Sequence, residues 1–464
     1  MIHNNYLTLK NRAIQVYKLI QDHQKKKYPI PYLNDLFQEL EIIYNGFIDK
    51  YLSKEEVSDI TILDLVKINK FVNGTNSLIL GTLHNASVIK NPKSITIPIK
   101  EMLEMTQSSS VYIPELIWDV NYYIGEVTSV YNRLVKSIGL DVTLNIPLYR
   151  FGIPHFYQDD ALMSGILGHE LGHYFDLFGN LDISEKLLIT FVNDSSLIDE
   201  LKPYIVFEEG ASLVEVDKNE IVQLFLSDMY LNNWLNEFVA DTIGIALYGP
   251  ASFFSSERLI QSITIEPVAG KVKADSSSDT HPRNKLRYQV KKRVLEILDY
   301  DLPQIFQDEI DRCEQIWENA IKLYPSGNTI VGKMHNKIVG LSVNQESLGI
   351  IETYLMKKID TIINFCLAEM PRELIYQPQQ MTESIEVLAE KLGQLLPPNE
   401  LAPNSPSDSI SIINAGWLAY LVPSKLLKRQ YRTNTELIQA INSMLTRGLE
   451  VAAIHRRWKN VNIE

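Results

Sequence analysis

The stretch Asp159-Asp160-Ala161-Leu162-Met163-Ser164-Gly165-Ile166-Leu167-Gly168-His169-Glu170-Leu171-Gly172-His173-Tyr174-Phe175-Asp176-Leu177-Phe178-Gly179 decides how the rest of the chain is read. Asp159 or Asp160 stands where an N-cap is wanted and Gly179 where a helix stops, so one helix is expected from the cap to about Phe178. Within it His169 and His173 are four residues apart and share a helical face, the spacing with which two imidazoles reach one zinc ion. Glu170 follows the first histidine and is placed to take a proton from an attacking water. His169 and His173 are therefore expected as metal ligands and Glu170 as a general base.

Catalytic zinc takes a third protein ligand and keeps one position open. A Gly-x-x-His continuation of the motif would supply it, but those positions hold Asp176 and Gly179. The better source is the apolar helical run Trp234-Leu235-Asn236-Glu237-Phe238-Val239-Ala240-Asp241-Thr242-Ile243-Gly244-Ile245-Ala246-Leu247. Two carboxylates four residues apart in a buried stripe are costly unless a cation or strong donors compensate them. Glu237 is expected as the third ligand, and Asp241 as the partner that orients a zinc histidine. Asp176, one turn beyond His173, is the weaker alternative. Gly165, Gly168 and Gly172 form a small-residue stripe on one helix, Ala240 and Gly244 on the other. Mid-helix glycine costs about 0.5–1 kcal/mol against alanine, so a stripe of them calls for close packing.

Working outward, Asp141 to Ile146 alternates polar and apolar residues as a half-buried strand does, and Pro147 to Tyr157, interrupted by Gly152 and Pro154, reads as a second strand that Pro154 puts at a sheet edge or in a loop. Earlier segments read as helices, one starting at a Ser53/Glu56 capping box and another running from Pro114 through Trp118, Tyr122, Tyr123 and Val130. Downstream, a helical stretch from Lys218 to Tyr248 ends at Gly249-Pro250. Residues 270–279 read as a flexible connection, and helices resume at Pro282. Pro397 to Asp408 reads as a linker, followed by a buried helix from Ile410 to Leu421 that contains Trp417 and Tyr420. The expected architecture is mainly α (α+β), with a small sheet beside the motif helix. Its divisions are a helical region at 1–138, a catalytic core at 139–300 and a helical region at 301–464.

The HELGH motif, the Glu237-x-x-x-Asp241 helix some sixty residues later, and Thr280-His281-Pro282 with Arg287 together resemble the gluzincin peptidases of the CAAX prenyl protease type. The resemblance spans roughly Ala161 to Arg287. It implies a zincin-like core, a zinc cofactor held by His169, His173 and Glu237, and metallopeptidase chemistry with Asp241 supporting a ligand. It also implies that the His281-Pro282…Arg287 segment borders the site. His281 is then a candidate oxyanion donor, and Arg287 either shares that role or pairs with a site carboxylate. Members of that family are commonly integral membrane proteins, whereas this sequence has no apolar run of the ~18 residues a span needs.

Of the 464 residues, 45% are hydrophobic and 22% charged, an ordinary globular balance, and the net charge of −13 argues against nucleic acid as a partner. The short basic run Lys25-Lys26-Lys27 reads as a solvated helix end. Cys313 and Cys366 form no metal-ligand pair and point to a reducing, cytoplasmic location. His155 lies near the motif and could line a cleft; His3, His23, His84, His335 and His455 stand alone. The expected partner is a protein or peptide substrate, without membrane insertion, and the C-terminal helical region could bind another partner. A reading from a different class is a metal-stabilised scaffold without turnover, but such a site has no use for a base at Glu170.

Overall fold

A computed structural model describes residues 2–26, 32–53, 60–84, 92–106, 110–119, 121–179, 181–207, 217–228, 230–264, 275–324, 328–334 and 337–461. The fold is mainly helical with small sheets. It divides into two compact units, Met1–Gln158 and Asp159–Glu464, in place of the three regions expected with boundaries after 138 and 300.

In the first unit, helices Ile2–Gln24, Leu33–Phe47 and Ile62–Gly74 bury an aromatic core. Phe47 and Phe71 pack with tilted rings, their centroids 4.3 Å apart, and Tyr44 and Tyr131 extend the cluster. Their hydroxyls are satisfied, by Ala13 O for Tyr44 and Thr75 Oγ1 for Tyr131, as buried phenols require. A reciprocal capping box does start a helix here, but at Thr61 and Asp64. The expected one at Ser53 and Glu56 falls partly outside the described residues, as does Lys27 of the basic run.

The segment expected as a helix from Pro114 is instead two strands, β1 (Val111–Ile117) and β2 (Tyr123–Glu126), before a helix at Thr128–Ser137. Val111, Tyr112 and Ile113 suit a pleated surface, and Pro114 is tolerated because β1 is an edge strand. β3 (Leu148–Pro154) lies between them, parallel to β1 and antiparallel to β2. Pro154 therefore ends a central strand and does not mark an edge. Residues 141–146 keep the expected alternation of burial but join no ladder. Asn132 bonds both backbone groups of Leu144, and Glu39 accepts from the amides of Asn145 and Ile146, so side chains replace a partner strand. The whole sheet belongs to the first unit and the motif helix to the second.

The second unit is organised around the helix Tyr230–Tyr248, the carboxylate helix, which is buried on nearly all sides. An apolar helix of this kind needs neighbours all round, and it packs on the motif helix Leu167–Leu177 and on helices Ile183–Phe191, Lys218–Asp228, Asn284–Leu298 and Ile359–Glu369. It ends as expected at Gly249, whose φ of +59° suits glycine, and Pro250 opens the next helix, Pro250–Thr264.

The motif helix does not start from an aspartate cap. Residues Ala161–Ile166 wind as a tighter 3₁₀ helix, Asp160 makes no capping bond, and it faces Arg258 at 3.5 Å. The reason is tertiary. Leu162 O accepts from Ser255 Oγ and Trp417 Nε1, and Leu162 N donates to Asn442 Oδ1. These partners come from three different helices and hold the turn away from α geometry.

The C-terminal third is part of this unit. The buried helix Ser409–Leu421 forms as expected. Its Asn414 accepts from Ala251 N at 2.8 Å and donates to Tyr248 O and Ile410 O at 3.0 Å, bracing the break at Gly249. Strand β4 (Ile205–Phe207) pairs with β8 (Lys337–Val343) of the hairpin it makes with β7 (Asn328–Met334), a sheet with no counterpart in the expected all-helical region. Short strands β5 (Asp275–Ser276) and β6 (Lys322–Leu323) also pair. Residues 265–274 are outside the described set, but 275–279 are structured and not a loose connection. Pro397 to Asp408 is not a linker either, since β9 (Glu400–Ala402) and β10 (Ser405–Pro406) make a small hairpin around Asn404 at φ +65°. Cys313 and Cys366 are both free and buried in helices. Among the described residues, no helix is long and apolar enough to cross a membrane.

Substituting Asn414 by Leu keeps the branched shape but strands the Ala251 amide and the Tyr248 carbonyl, a loss of about 1–3 kcal/mol. A lower urea midpoint by far-UV circular dichroism is expected, and an unchanged midpoint would contradict the bracing role.

Candidate metal centre

The site begins where two backbones meet. A Cβ added at Gly172 would stand 2.5 Å from Ala240 O and 2.7 Å from its Cα. One at Gly168 would stand 2.7 Å from Gly244 O, and one at Gly244 would stand 2.8 Å from His169 N. Side chains do not fit at such distances, so these small residues let the motif and carboxylate helices touch. Gly165, the third member of the expected stripe, serves another contact, against Ala251 and Ser255.

The close approach brings His169, His173 and Glu237 together. One ligand atom from each lies within 4.8 Å of the others, a group that could hold a metal ion. His169 Nε2 and His173 Nε2 face each other at 3.2 Å. Glu237 Oε2 is 3.5 Å from the first ring nitrogen and Oε1 is 3.5 Å from the second. Two imidazoles and a carboxylate are a nitrogen and oxygen set suited to zinc and its neighbours in the first transition row. Glu237 Oε2 is buried and accepts no well-directed hydrogen bond, which leaves a lone pair for a cation.

Asp241 stands one turn along the same helix, with Oδ1 3.0 Å from His169 Nδ1. Accepting the Nδ1 proton leaves the Nε2 lone pair pointing into the site. Arg287 grips Asp241 through two parallel bonds of 2.8 Å, Nε to Oδ2 and Nη2 to Oδ1. Its Nη1 is 3.0 Å from Glu237 Oε2. Of the two roles open to Arg287 in the sequence, the structure therefore places it on the site carboxylates.

The electrostatics follow from this arrangement. Burial opposes the charge on Glu237, but Arg287 and the two histidines outweigh it and lower its pKa. Asp241 is lowered in the same way, against burial, by Arg287 and His169. Arg287, itself buried, is raised by the two carboxylates. Burial also works against the charged form of His173, yet Glu237 and Glu170 override it and the net shift is upward. Three carboxylates, Glu170, Glu237 and Asp241, are buried here together with the Arg287 guanidinium.

No family model, curated protein or solved structure matches this chain.

The remaining candidates separate cleanly. His281 Nε2 lies 3.6 Å from Glu237 Oε1 on an exposed ring, at the rim of the group. Asp176 is buried and committed elsewhere, accepting from Ser184 N at 3.0 Å and from Ser184 Oγ at the start of the next helix. It is not gathered with the histidines. His155 belongs to the first unit and stacks on Trp118 at 4.7 Å. Asn233 and Trp234, to which no site role was assigned from the sequence, donate to Asp279 O and Ser278 O and hold the turn before His281. They lie four and three residues before Glu237, on its helical face, and that spacing was the available signal.

Two outcomes are expected. Gly172→Ala should force the helices apart, costing about 1–3 kcal/mol by overpacking and lowering metal content. Urea unfolding and metal analysis check both parts. Glu237→Ala should abolish stable metal retention, and Asp241→Asn should weaken it by about 10–100-fold, as loss of a ligand-orienting partner does. Competition titration with a chromogenic chelator measures the difference; wild-type affinity in Glu237→Ala would remove it from the ligand set.

Proposed function

We propose that this chain is a zinc-dependent peptidase with a gluzincin-like site and a zincin-like core. The observation that carries the reading is the gathering of His169, His173 and Glu237 around one point, with Glu170 next to the first histidine on the same helix. A scaffold needs the three ligands but has no use for Glu170. The order HELGH, Glu-x-x-x-Asp, His-Pro and Arg supports the resemblance to CAAX-type gluzincins. The lack of a membrane-crossing helix among the described residues gives no support to a prenylated membrane substrate, so the proposed substrate is a protein or peptide.

His169, His173 and Glu237 would hold the ion. When bound, zinc supplies Lewis acidity that polarises the scissile carbonyl and makes water a usable nucleophile near neutral pH. Glu170 accepts the proton of the attacking water as its oxygen bonds to the carbonyl carbon. It then passes that proton to the amide nitrogen as the C–N bond breaks, giving a carboxylic acid and an amine, the water's second proton staying on the acid until it moves to the amine. Asp241 keeps His169 in the ligand tautomer, and Arg287 keeps Asp241 and Glu237 ionised. His281 Nε2–H, at the rim, donates to the oxyanion of the tetrahedral intermediate. The free, buried thiols fit a reducing, cytoplasmic setting.

The deciding experiment compares wild type and Glu170→Gln by metal analysis and by cleavage profiling on a peptide library. About one zinc per chain in both proteins is expected, with cleavage only by wild type and a loss of at least about 10²–10⁴-fold in the variant. Absence of zinc, or equal cleavage by the two proteins, would overturn the proposal.

A further inference from the structure

His281 sits on a short segment that is held from both ends, and the anchors are not part of the motif pattern. Its turn is closed on itself: Ser278 N donates to His281 O at 2.9 Å and His281 N donates to Ser278 Oγ at 3.0 Å. Thr280 Oγ1 is 2.8 Å from His281 Nδ1, which turns the other ring nitrogen towards Glu237. On one side Asn233 and Trp234 of the carboxylate helix hold this turn at 2.9 and 3.0 Å.

On the other side the anchor is ionic. Arg283, two residues after His281, makes a bidentate pair with Glu352, Nε to Oε1 at 2.8 Å and Nη2 to Oε2 at 2.7 Å. Glu352 lies on the helix Gln345–Lys357 and is 3% exposed, while Arg283 is 7% exposed. Tyr324 donates to Glu352 Oε2 at 2.8 Å, and Asp275 faces Arg283 Nη1 at 3.4 Å while accepting from Asn284 N and Lys285 N. Desolvated ion pairs add little stability over apolar packing of the same volume. What a planar, two-point pair adds is geometry, because guanidinium and carboxylate lock in one relative orientation.

We infer that Glu352, acting through Arg283, is a positioning residue that sets His281 at the rim of the metal centre. The inference rests on the peptidase reading for its catalytic consequence, while the ordering of residues 278–283 is independent of it. The anchor reaches the site from the C-terminal third of the chain, to which no catalytic part was otherwise assigned. With the pair broken, Pro282 and Arg283 lose their fixed exit direction and His281 samples positions away from Glu237. Binding of a peptide by the rest of the site is left in place.

The test uses the zinc-loaded full chain and the variants Glu352→Gln, Glu352→Asp and Tyr324→Phe. Glu352→Gln should lower kcat about tenfold with KM within about twofold, the pattern of a misplaced group acting in the transition state. Zinc should stay at one per chain. Amide hydrogen exchange at Ser278 and His281 should speed up about fivefold or more, since both amides close the turn. Glu352→Asp, which keeps the charge, should recover part of both effects. If Glu352→Gln does not fold, Tyr324→Phe is read in its place, with smaller changes in the same directions. Unchanged exchange at Ser278 and His281 in a folded variant overturns the positioning role, as does faster exchange with wild-type kcat. If zinc-loaded wild type cleaves nothing, the peptidase reading falls, and the exchange measurement alone decides the positioning.

Discussion

Everything in the second unit depends on two helices touching at Gly168 and Gly172 on one side and Ala240 and Gly244 on the other. Side chains on either surface would separate the axes, and Glu237 would no longer come within 3.5 Å of the two imidazoles. The cost is paid in helix propensity, about 0.5–1 kcal/mol for each glycine. It is offset by burial, for the carboxylate helix is enclosed by neighbouring helices on nearly every side. A close crossing of this kind is rigid, which suits a group whose donor atoms must keep a fixed separation.

The same enclosure explains the charges. Glu237, Asp241 and Arg287 are all nearly dehydrated, and burying any of these charges without a partner would be costly. Together they form a chain in which the guanidinium serves both carboxylates and Asp241 serves His169. The His169, His173 and Glu237 atoms gathered beside this chain are the group that could hold a metal ion. The candidate centre thus draws His169, His173 and Glu237 from two helices, a guanidinium from a third, Asn284–Leu298, and the His281 turn tied to a fourth through Glu352.

Much of the centre was legible because its signals are local. His169, Glu170 and His173 share one turn, and Glu237 and Asp241 share another. Carboxylates inside an apolar run stand out whatever the fold. The small-residue stripe told which faces meet, except that Gly165 turned out to face Ala251 and Ser255. The pairing of Arg283 with Glu352 had no local trace, since its partners are 69 residues apart and each alone looks like a solvated charge.

The sequence by itself determined the helical periodicity, the motif spacing and the breaks at Gly249-Pro250, because these depend on contacts within a few residues. Tertiary structure alone decided the rest. Pro154 sits at the end of a central strand because β1 and β2 flank it. Residues 161–166 wind as a 3₁₀ turn, not an α-helix, because Ser255, Trp417 and Asn442 claim the backbone of Leu162. The unit boundary falls after Gln158, and the C-terminal third packs into the same unit as the motif helix, because Asn414 and Trp417 are bonded into it. Hydrogen bonds between residues distant along the chain outweigh a local cap or a proline signal, and no short window of sequence contains both partners.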